Sequence, residues 1–258
     1  MKKTYALILA VAVACGNGLS TKAQEPVSPY GDLTKLLPRE TVLWVATRNI
    51  NKAYGEIAPR MERSGIIARD ERFDRELMRL LPPGVREKNT AFITALASMG
   101  VKTDGEAAVG ILIMADKNGR TRMDDHNTVV ILSIMKRDAL EAAIQGESGN
   151  TPPRQDLGGI TLVGAESDRT SVALTDKYCI IGARPCVLLV ADTFLRKHPA
   201  VAPPPPGDGL FLVSFNPGQF SAPFKESVLR DLTSRGGEQA PVLPPTALAF
   251  LDAMETCQ

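Results

Sequence analysis

The residues of this chain that most resemble a reactive group form one short polar run, Asp124-Asp125-His126-Asn127. Carboxylate and imidazole side chains are common ligands of divalent metals, so this run is a candidate metal-binding segment. It lies, however, in a polar loop predicted between two strands, where Asp and Asn are common because they favour turns. Adjacent side chains also diverge, and the sequence offers no second group of ligands. We therefore predict no metal site and no bound cofactor.

A second candidate is catalytic. Ser133 and Lys136 have the Ser-x-x-Lys spacing of some acyl-enzymes. That chemistry needs a helical turn to bring the amine to the hydroxyl, whereas this segment has the apolar pattern of a strand. Only His126 and His198 are available as histidine bases, and the sequence contains no nucleophile elbow. His198 ends a predicted helix, where the helix dipole favours a cation. We predict no catalytic residue.

The cysteines carry information about compartment and packing. Cys15 follows a short segment that resembles a lipoprotein box, so it is a candidate for lipidation. Cys179 and Cys186 lie on either side of one predicted turn and form a candidate disulfide. The alternative for this pair is that both thiols are unbridged and pack as small hydrophobic side chains.

The N-terminus is typical of a bacterial secretory signal. Lys2 and Lys3 precede an unbroken apolar run that ends at Cys15, and the first acidic residue is Glu25. The run is too short to span a bilayer. We favour cleavage after Ala23, and the alternative is acylation of Cys15, which would anchor the protein to a membrane. Both alternatives predict an exported protein of the periplasm or cell envelope, or a secreted one.

The composition predicts a folded globular protein, since 44% of the residues are hydrophobic. The whole chain has a formal net charge of +1, and the signal segment removes three lysines and no acid. A near-neutral surface with mixed signs argues against nucleic-acid binding, which needs a concentrated basic face. The predicted partner is therefore an unidentified envelope protein or ligand. Membrane contact is predicted only if Cys15 is lipidated.

Hydrophobic periodicity predicts alternating strands and helices. The strand predicted at 41–48 is apolar on both faces, and Asn49 is placed to cap the helix that follows it. Sequential strands with short links indicate a largely antiparallel sheet covered by helices on at least one face, which is an α+β fold. The other predicted elements are helices at 69–81 and 89–99 (stopped by Gly100), a helix with an Asp138–Glu141 capping box, a helix starting at Pro185, and strands at 106–114, 128–135, 160–164, 171–175 and 178–182.

The four prolines at 203–206 mark a boundary, because proline fits neither a helix interior nor a central strand. Beyond it, an apolar strand, the cap Asn216 and an amphipathic helix with Phe220 and Phe224 repeat the order of elements around Asn49. We interpret this as a partial repeat docked on the main domain, and the alternative is two unrelated units. The predicted organisation is a signal peptide at 1–23, a flexible tether at 24–36, a main α+β domain at 37–199, a Pro-rich linker at 200–208 and the partial repeat at 209–258.

Three motifs carry a family resemblance. Residues 37–45 (LPRETVLWV) combine a proline, an acidic-Thr pair and an apolar strand, and residues 100–106 (GVKTDGE) form a Gly–acidic turn before a strand. Residues 178–185 (YCIIGARP) form a late strand followed by Gly-x-x-Pro. These motifs resemble an uncharacterised exported bacterial domain family, similar to the domain of unknown function 3352. The resemblance covers roughly residues 37–199 and implies export and fold, and it transfers no catalytic residue.

The sequence thus predicts an exported, non-catalytic cell-envelope protein that acts as a binding or structural module. The basis is the secretory signal together with the lack of a reactive cluster. The alternatives are a secreted hydrolase with a dispersed active site and a lipoprotein held by Cys15. A deep pocket joining His126 or His198 to a serine, cysteine or carboxylate would favour the hydrolase. A sheet with filled faces and only an exposed apolar patch would favour binding.

Overall fold

The computed structural model describes residues 32–63, 73–79, 81, 83–115, 121–122, 127–145, 152–164, 170–201 and 209–216. The strands are β1 (Thr41–Thr47), β2 (Ala107–Leu112), β3 (Met114–Ala115), β4 (Thr121–Arg122), β5 (Thr128–Ser133), β6 (Arg154–Asp156), β7 (Thr161–Val163), β8 (Ser171–Leu174), β9 (Tyr178–Gly182) and β10 (Phe211–Phe215). The helices are α1 (Ile50–Arg63), α2 (Phe73–Met78), α3 (Pro83–Lys88), α4 (Phe92–Ser98), α5 (Arg137–Gln145) and α6 (Arg184–Phe194), preceded by the 3-10 turn η1 (Thr34–Leu36).

Eight of these strands form one sheet in the order β10-β1-β2-β5-β9-β8-β7-β6, while β3 and β4 pair separately. Every neighbouring pair in the sheet is antiparallel. Short links between β7, β8 and β9 produce the predicted meander. The predicted α+β class with a largely antiparallel sheet is confirmed.

The sheet divides the core into two halves, because successive side chains of a strand point to opposite faces. Tyr178 and Ile180 of β9 point to the first face and belong to one cluster with Val187 of α6. Cys179, between them, points to the second face and belongs to a cluster with Leu140 of α5. Helices therefore pack on both faces of the sheet.

Strand β1 is apolar on both faces because helices cover both faces of the sheet. Trp44 and Ala46 are buried in the first-face cluster, and Val45, which points the other way, is also buried. On the second face, Ile50 of α1 and Leu96 of α4 form a further cluster beside β2. The confirmed central position of β1, between β10 and β2, follows from this two-sided hydrophobicity.

Cys179 and Cys186 both carry reduced thiols and are buried. Cys186 lies in the first-face cluster, whereas Cys179 lies in the second-face cluster, so the sheet separates their side chains. The candidate disulfide between them is therefore not formed in the structure. Of the two sequence-based alternatives, the structure shows cysteines packed as small hydrophobic residues.

The buried thiol of Cys179 gives a testable pH dependence. Burial raises its pKa from 9.0 to about 12, so the folded state keeps the thiol proton where the unfolded state loses it. The free energy of unfolding should therefore be unaffected below pH 9 and should fall as the pH rises toward 12. Denaturant titrations between these pH values measure the slope, which Cys179→Ala should reduce. An equal slope in the variant would contradict this assignment.

The predicted tether at 24–36 extends too far. Its last residues, from position 32 on, include Leu33 and Leu36, and both side chains are buried in the first-face cluster. Apolar side chains at 33, 36 and 37 fold over the sheet through η1 instead of remaining in solvent. Beyond η1, the chain pairs with the segment after α6, where Val201 N donates to Leu37 O at 2.9 Å. The main domain thus begins before residue 37.

The strand half of the predicted partial repeat lies in the sheet. β10 pairs with β1 in antiparallel register, with Leu43 opposite Phe215 and Thr47 opposite Phe211. This strand is therefore part of the main sheet. The helices predicted after it, with Phe220 and at 246–256, lie outside the described residues.

Two helix ends test the capping predictions. Asn49 caps α1 as predicted, since Lys52 N donates to Asn49 Oδ1 at 2.8 Å.

The predicted capping box at Asp138 and Glu141 is wrong, because α5 already begins at Arg137 and includes both acids. The Glu141 carboxylate instead accepts a hydrogen bond from Arg137 Nε at 2.8 Å and pairs with Arg154 at 2.9 Å. Its pKa is lowered, mainly by the Arg137 hydrogen bond. These contacts tie α5 to edge strand β6.

In the part of the chain that the structure describes, none of the helices combines the length and the apolar content needed to cross a lipid bilayer.

Candidate ligand-binding cleft

A cleft of about 890 Å³ opens at one end of the sheet, beside the turn between β8 and β9 and the end of α6. We call it the sheet-end cleft. Its lining residues are Asp32, Lys35, Leu36, Gly159, residues 175–178, Thr193, Phe194 and residues 196–200.

The β8–β9 turn is held by Thr175. Its hydroxyl oxygen accepts hydrogen bonds from the backbone N–H groups of Lys177 at 3.1 Å and Tyr178 at 2.8 Å. The Thr175 side chain is buried, so these bonds are shielded from water. The turn therefore presents Lys177 and Tyr178 to the cleft in a fixed conformation.

Tyr178 forms part of the cleft floor and has its own internal partner. Its hydroxyl donates a hydrogen bond to Glu106 Oε2 at 3.0 Å. Burial, with the nearby Glu106 charge, raises the pKa of Tyr178 well above its ordinary value. The phenol is therefore a protonated hydrogen-bond donor at physiological pH, and it is unsuited to act as a base.

One acidic residue ties the N-terminal segment to this turn. Asp32 accepts from Lys177 Nζ at 2.7 Å and pairs with Lys35 Nζ at 3.3 Å. The pKa of Asp32 is lowered, first by the Lys177 hydrogen bond, and the pKa of Lys177 is raised by the same contact. The Lys177 ammonium also lies 5.5 Å from the centre of the Tyr178 ring. Two of the cleft cations thus share one carboxylate.

The end of α6 forms the opposite wall. Arg196 N donates to Thr193 O at 3.0 Å and Lys197 N donates to Asp192 O at 2.8 Å, which closes the helix. Arg196 has φ 57, the left-handed conformation that glycine usually occupies at this position. A side chain with a Cβ adopts this conformation at a cost of about 1 kcal/mol. Arg196, which is held in this strained conformation, therefore also places a positive charge in the cleft lining.

This strain gives a second prediction. Arg196→Gly should raise the free energy of unfolding by about 1 kcal/mol, because glycine adopts the left-handed conformation without steric cost. Lys197→Gly is the matched control, since Lys197 has no positive φ and glycine there offers no relief. Urea unfolding of both variants measures the difference. A gain in the control but not in Arg196→Gly would contradict the assigned conformation.

His198 joins this wall to the strand end of the cleft. Its Nε2 lies 2.7 Å from Glu40 Oε2, and both side chains are about three-quarters buried, with exposed fractions of 25% and 26%. The pair lies where the chain after α6 runs beside the segment before β1, and there Arg39 N donates to Pro199 O at 3.0 Å. His198 thus lines the cleft, and its carboxylate partner Glu40 lies behind it, outside the cleft lining.

The hydroxyl groups of the cleft are committed to the fold. Thr193 Oγ1 donates to Leu189 O at 2.8 Å, while Thr175 and Tyr178 make the internal bonds described above. Among the described residues that line the cleft, none is a serine or a cysteine. The His198–Glu40 pair thus has no evident nucleophilic side chain to activate.

The charge of the cleft is unbalanced. The lining contains four lysine or arginine side chains but only two carboxylates, those of Asp32 and Asp176. Asp32 pairs with both Lys35 and Lys177, and the Asp176 side chain is fully exposed to solvent. Arg196 and Lys197 have no acidic partner among the described residues. Phe194 lines the same cleft with 40% of its surface exposed. Cations beside an exposed aromatic ring suit an anionic ligand with an apolar part.

The structure separates the sequence-based candidates. His198 lies in the cleft, whereas Asp124, Asp125 and His126 lie outside the described residues, as does Cys15. Ser133 is buried at the end of β5, where its backbone bonds to Lys102 and Glu106, so this segment is a strand as predicted. Sequence reasoning assigned the cations at 196–198 only to the helix dipole. It missed the cleft, because Glu40 and Asp32 are distant in sequence from their partners.

Comparisons with known proteins found no match for the chain: no protein-family model, no curated protein and no solved structure.

Proposed function

We propose that this protein is an exported cell-envelope binding module whose sheet-end cleft binds an anionic ligand with an apolar part. The observation that carries the proposal is the pair of uncompensated cations, Arg196 and Lys197, beside the exposed ring of Phe194. Export is supported by the N-terminal sequence, with its two lysines and apolar run. Membership of the exported domain family that residues 37–199 resemble is part of the same proposal.

The cleft favours binding over catalysis for a chemical reason. Its lysine and arginine side chains can attract and orient an anion. Its hydroxyl groups already serve as internal donors or acceptors, so a nucleophile would have to break contacts that hold the β8–β9 turn or α6. A binding site needs neither a nucleophile nor a mobile proton.

The proposal is tested with two fluorescent probes of similar shape. Anilinonaphthalene sulfonate carries an anionic group on an aromatic body, and phenylnaphthylamine is its uncharged counterpart. The full-length protein should bind the sulfonate more tightly than the uncharged probe. Arg196→Gln/Lys197→Gln should weaken sulfonate binding about tenfold, equal to about 1.4 kcal/mol, and should leave binding of the uncharged probe unchanged.

The matched control is Lys52→Gln/Arg63→Gln, which removes the same charge from exposed positions of α1. This control should retain the affinity of the wild type for the sulfonate. Equal weakening in both double variants would show a general charge effect and would contradict a site at the sheet-end cleft. Equal affinity of the wild type for both probes would do the same.

One observation favours a hydrolase as a second candidate function, namely the 2.7 Å contact of Glu40 with His198, which lines the cleft. Glu40 would orient the imidazole, and His198 would accept a proton from a water molecule that attacks an ester carbonyl. Hydrolysis of nitrophenyl esters by wild type and His198→Gln separates the two functions. A binding module should show the same slow rate in both proteins. A large loss of rate in His198→Gln would establish the hydrolase instead.

The location is tested on the native protein from fractionated cells. Intact mass and N-terminal analysis should show a chain in the envelope fraction that begins at Gln24, after removal of residues 1–23. A mass increase that places an acyl group on Cys15 would establish the lipoprotein alternative. Recovery from the cytosol with the apolar N-terminus intact would contradict export.

A further inference from the structure

A second recess lies away from the sheet, between α2, α3 and the start of α4. It has a volume of about 380 Å³ and shares no lining residue with the sheet-end cleft. We call it the arginine recess, because Arg75, Arg79 and Arg86 line it together with Asp74, Met78 and Thr90.

The frame of the arginine recess is held by Asp74. Its Oδ1 accepts a hydrogen bond from the Tyr54 hydroxyl at 2.7 Å and another from Phe92 N at 2.9 Å. The Tyr54 ring stacks on Phe73, with ring centres 6.0 Å apart. These contacts fix α2 against α1 and against the first residue of α4. The recess is therefore built on a fixed frame of three helices.

The arginines of the recess differ in their partners. Arg79 pairs with Glu76, one turn earlier in α2. Arg75 and Arg86 have no carboxylate within ion-pair distance among the described residues. The Arg86 Nε atom is shielded from solvent and has no hydrogen-bond acceptor there. A shielded guanidinium N–H group without an acceptor is unfavourable, so this atom marks a place where an acceptor is missing.

Asp74 does not supply that acceptor. Its Oδ1 already receives two hydrogen bonds, and no ion pair joins its carboxylate to Arg86 in the described structure. The recess therefore combines guanidinium donors with a net positive lining. Guanidinium groups match the paired oxygens of a phosphate or carboxylate, to which they can donate two parallel hydrogen bonds.

We propose that the arginine recess binds a small oxyanion, a phosphate or carboxylate group, to which Arg86 and Arg75 donate hydrogen bonds. The site is independent of the proposed function of the sheet-end cleft. Its volume is at the lower end of the range for small-molecule sites, which suits one anionic group with a small organic part.

The test uses inorganic phosphate and succinate as probes. Both are measured in the Arg196→Gln/Lys197→Gln protein, so that the uncompensated cations of the sheet-end cleft do not contribute. Binding by calorimetry should be one-to-one for at least one of the two anions, and that anion should raise the melting temperature by several degrees at saturation. The preferred anion identifies the ligand class as phosphate or carboxylate.

Arg86→Met and Arg75→Gln should each weaken this binding about tenfold or more and abolish most of the thermal shift. Arg63→Gln, on α1, is the matched control and should bind as tightly as its parent. Arg75 is exposed, so its variant tests the site even if Arg86→Met fails to fold. Absence of binding for both anions, or equal weakening in Arg63→Gln, would overturn the proposal.

Discussion

Replacing Gly100 with alanine is expected to lower the free energy of unfolding by about 3 kcal/mol, because the new Cβ has no space and the backbone conformation disfavours it. Gly100 ends α4 with φ +85, and a Cβ built there would lie 2.2 Å from the Lys136 carbonyl oxygen. The Gly100 carbonyl also accepts hydrogen bonds from Met135 N and Lys136 N. A shift of Gly100 would therefore disturb the entry to α5. Urea unfolding followed by circular dichroism measures the change.

Gly55 provides the matched control for this substitution. It lies inside α1, and a Cβ at this position would meet no atom within 4 Å. Gly55→Ala should therefore raise the free energy of unfolding by about 0.5–1 kcal/mol, since alanine favours the helix. The two substitutions add the same methyl group and should have opposite signs. A destabilisation of similar size at both positions would contradict the assigned conformation of Gly100.

Replacing Leu36 with alanine should lower the free energy of unfolding by about 3 kcal/mol. The Leu36 side chain is 2% exposed and lies in the first-face cluster with Trp44, although it comes from the segment that the sequence predicts as a tether. Its removal would leave a cavity between η1 and the sheet. Leu36 also lines the sheet-end cleft, so a local collapse should weaken anion binding as well.

The neighbouring Lys35→Ala is the control for this prediction. The Lys35 side chain is 73% exposed and its ion pair with Asp32 lies at the surface, so its loss should change stability by less than about 1 kcal/mol. If residues up to 36 were a flexible tether, both variants would be as stable as wild type. Thermal unfolding of the two proteins decides between these alternatives.

The elements that could be predicted from sequence are those with strong local signals. β1 combines two apolar faces with the cap Asn49, and Gly100 stops α4 at the residue where a left-handed conformation is required. Short-range patterns of this kind also predict the β7–β9 meander. β6 was missed because its three residues are polar and exposed, so it has no apolar alternation. η1 was missed because one turn is too short to show a period.

The site could not be predicted, because its contacts join distant parts of the chain. Glu40 and His198 are 158 positions apart, and Asp32 and Lys177 are 145 apart. The first pair depends on the return of the chain after α6 to the segment before β1, and the second depends on the β8–β9 turn lying beside the segment before η1. Local patterns assign His198 to the end of a helix, but α6 already ends at Phe194 and has no basic residue in its last turn. They do not indicate which element lies opposite that end.

The most direct test of the proposed ligand site is to map where the anionic probe binds. Backbone amide signals of the isotope-labelled full-length protein are recorded by NMR during titration with anilinonaphthalene sulfonate. The largest shifts should fall at residues 175–178 and 193–200, and they should shrink in Arg196→Gln/Lys197→Gln. Shifts centred on any other surface, with these two segments unchanged, would contradict the proposal that the sheet-end cleft binds the ligand.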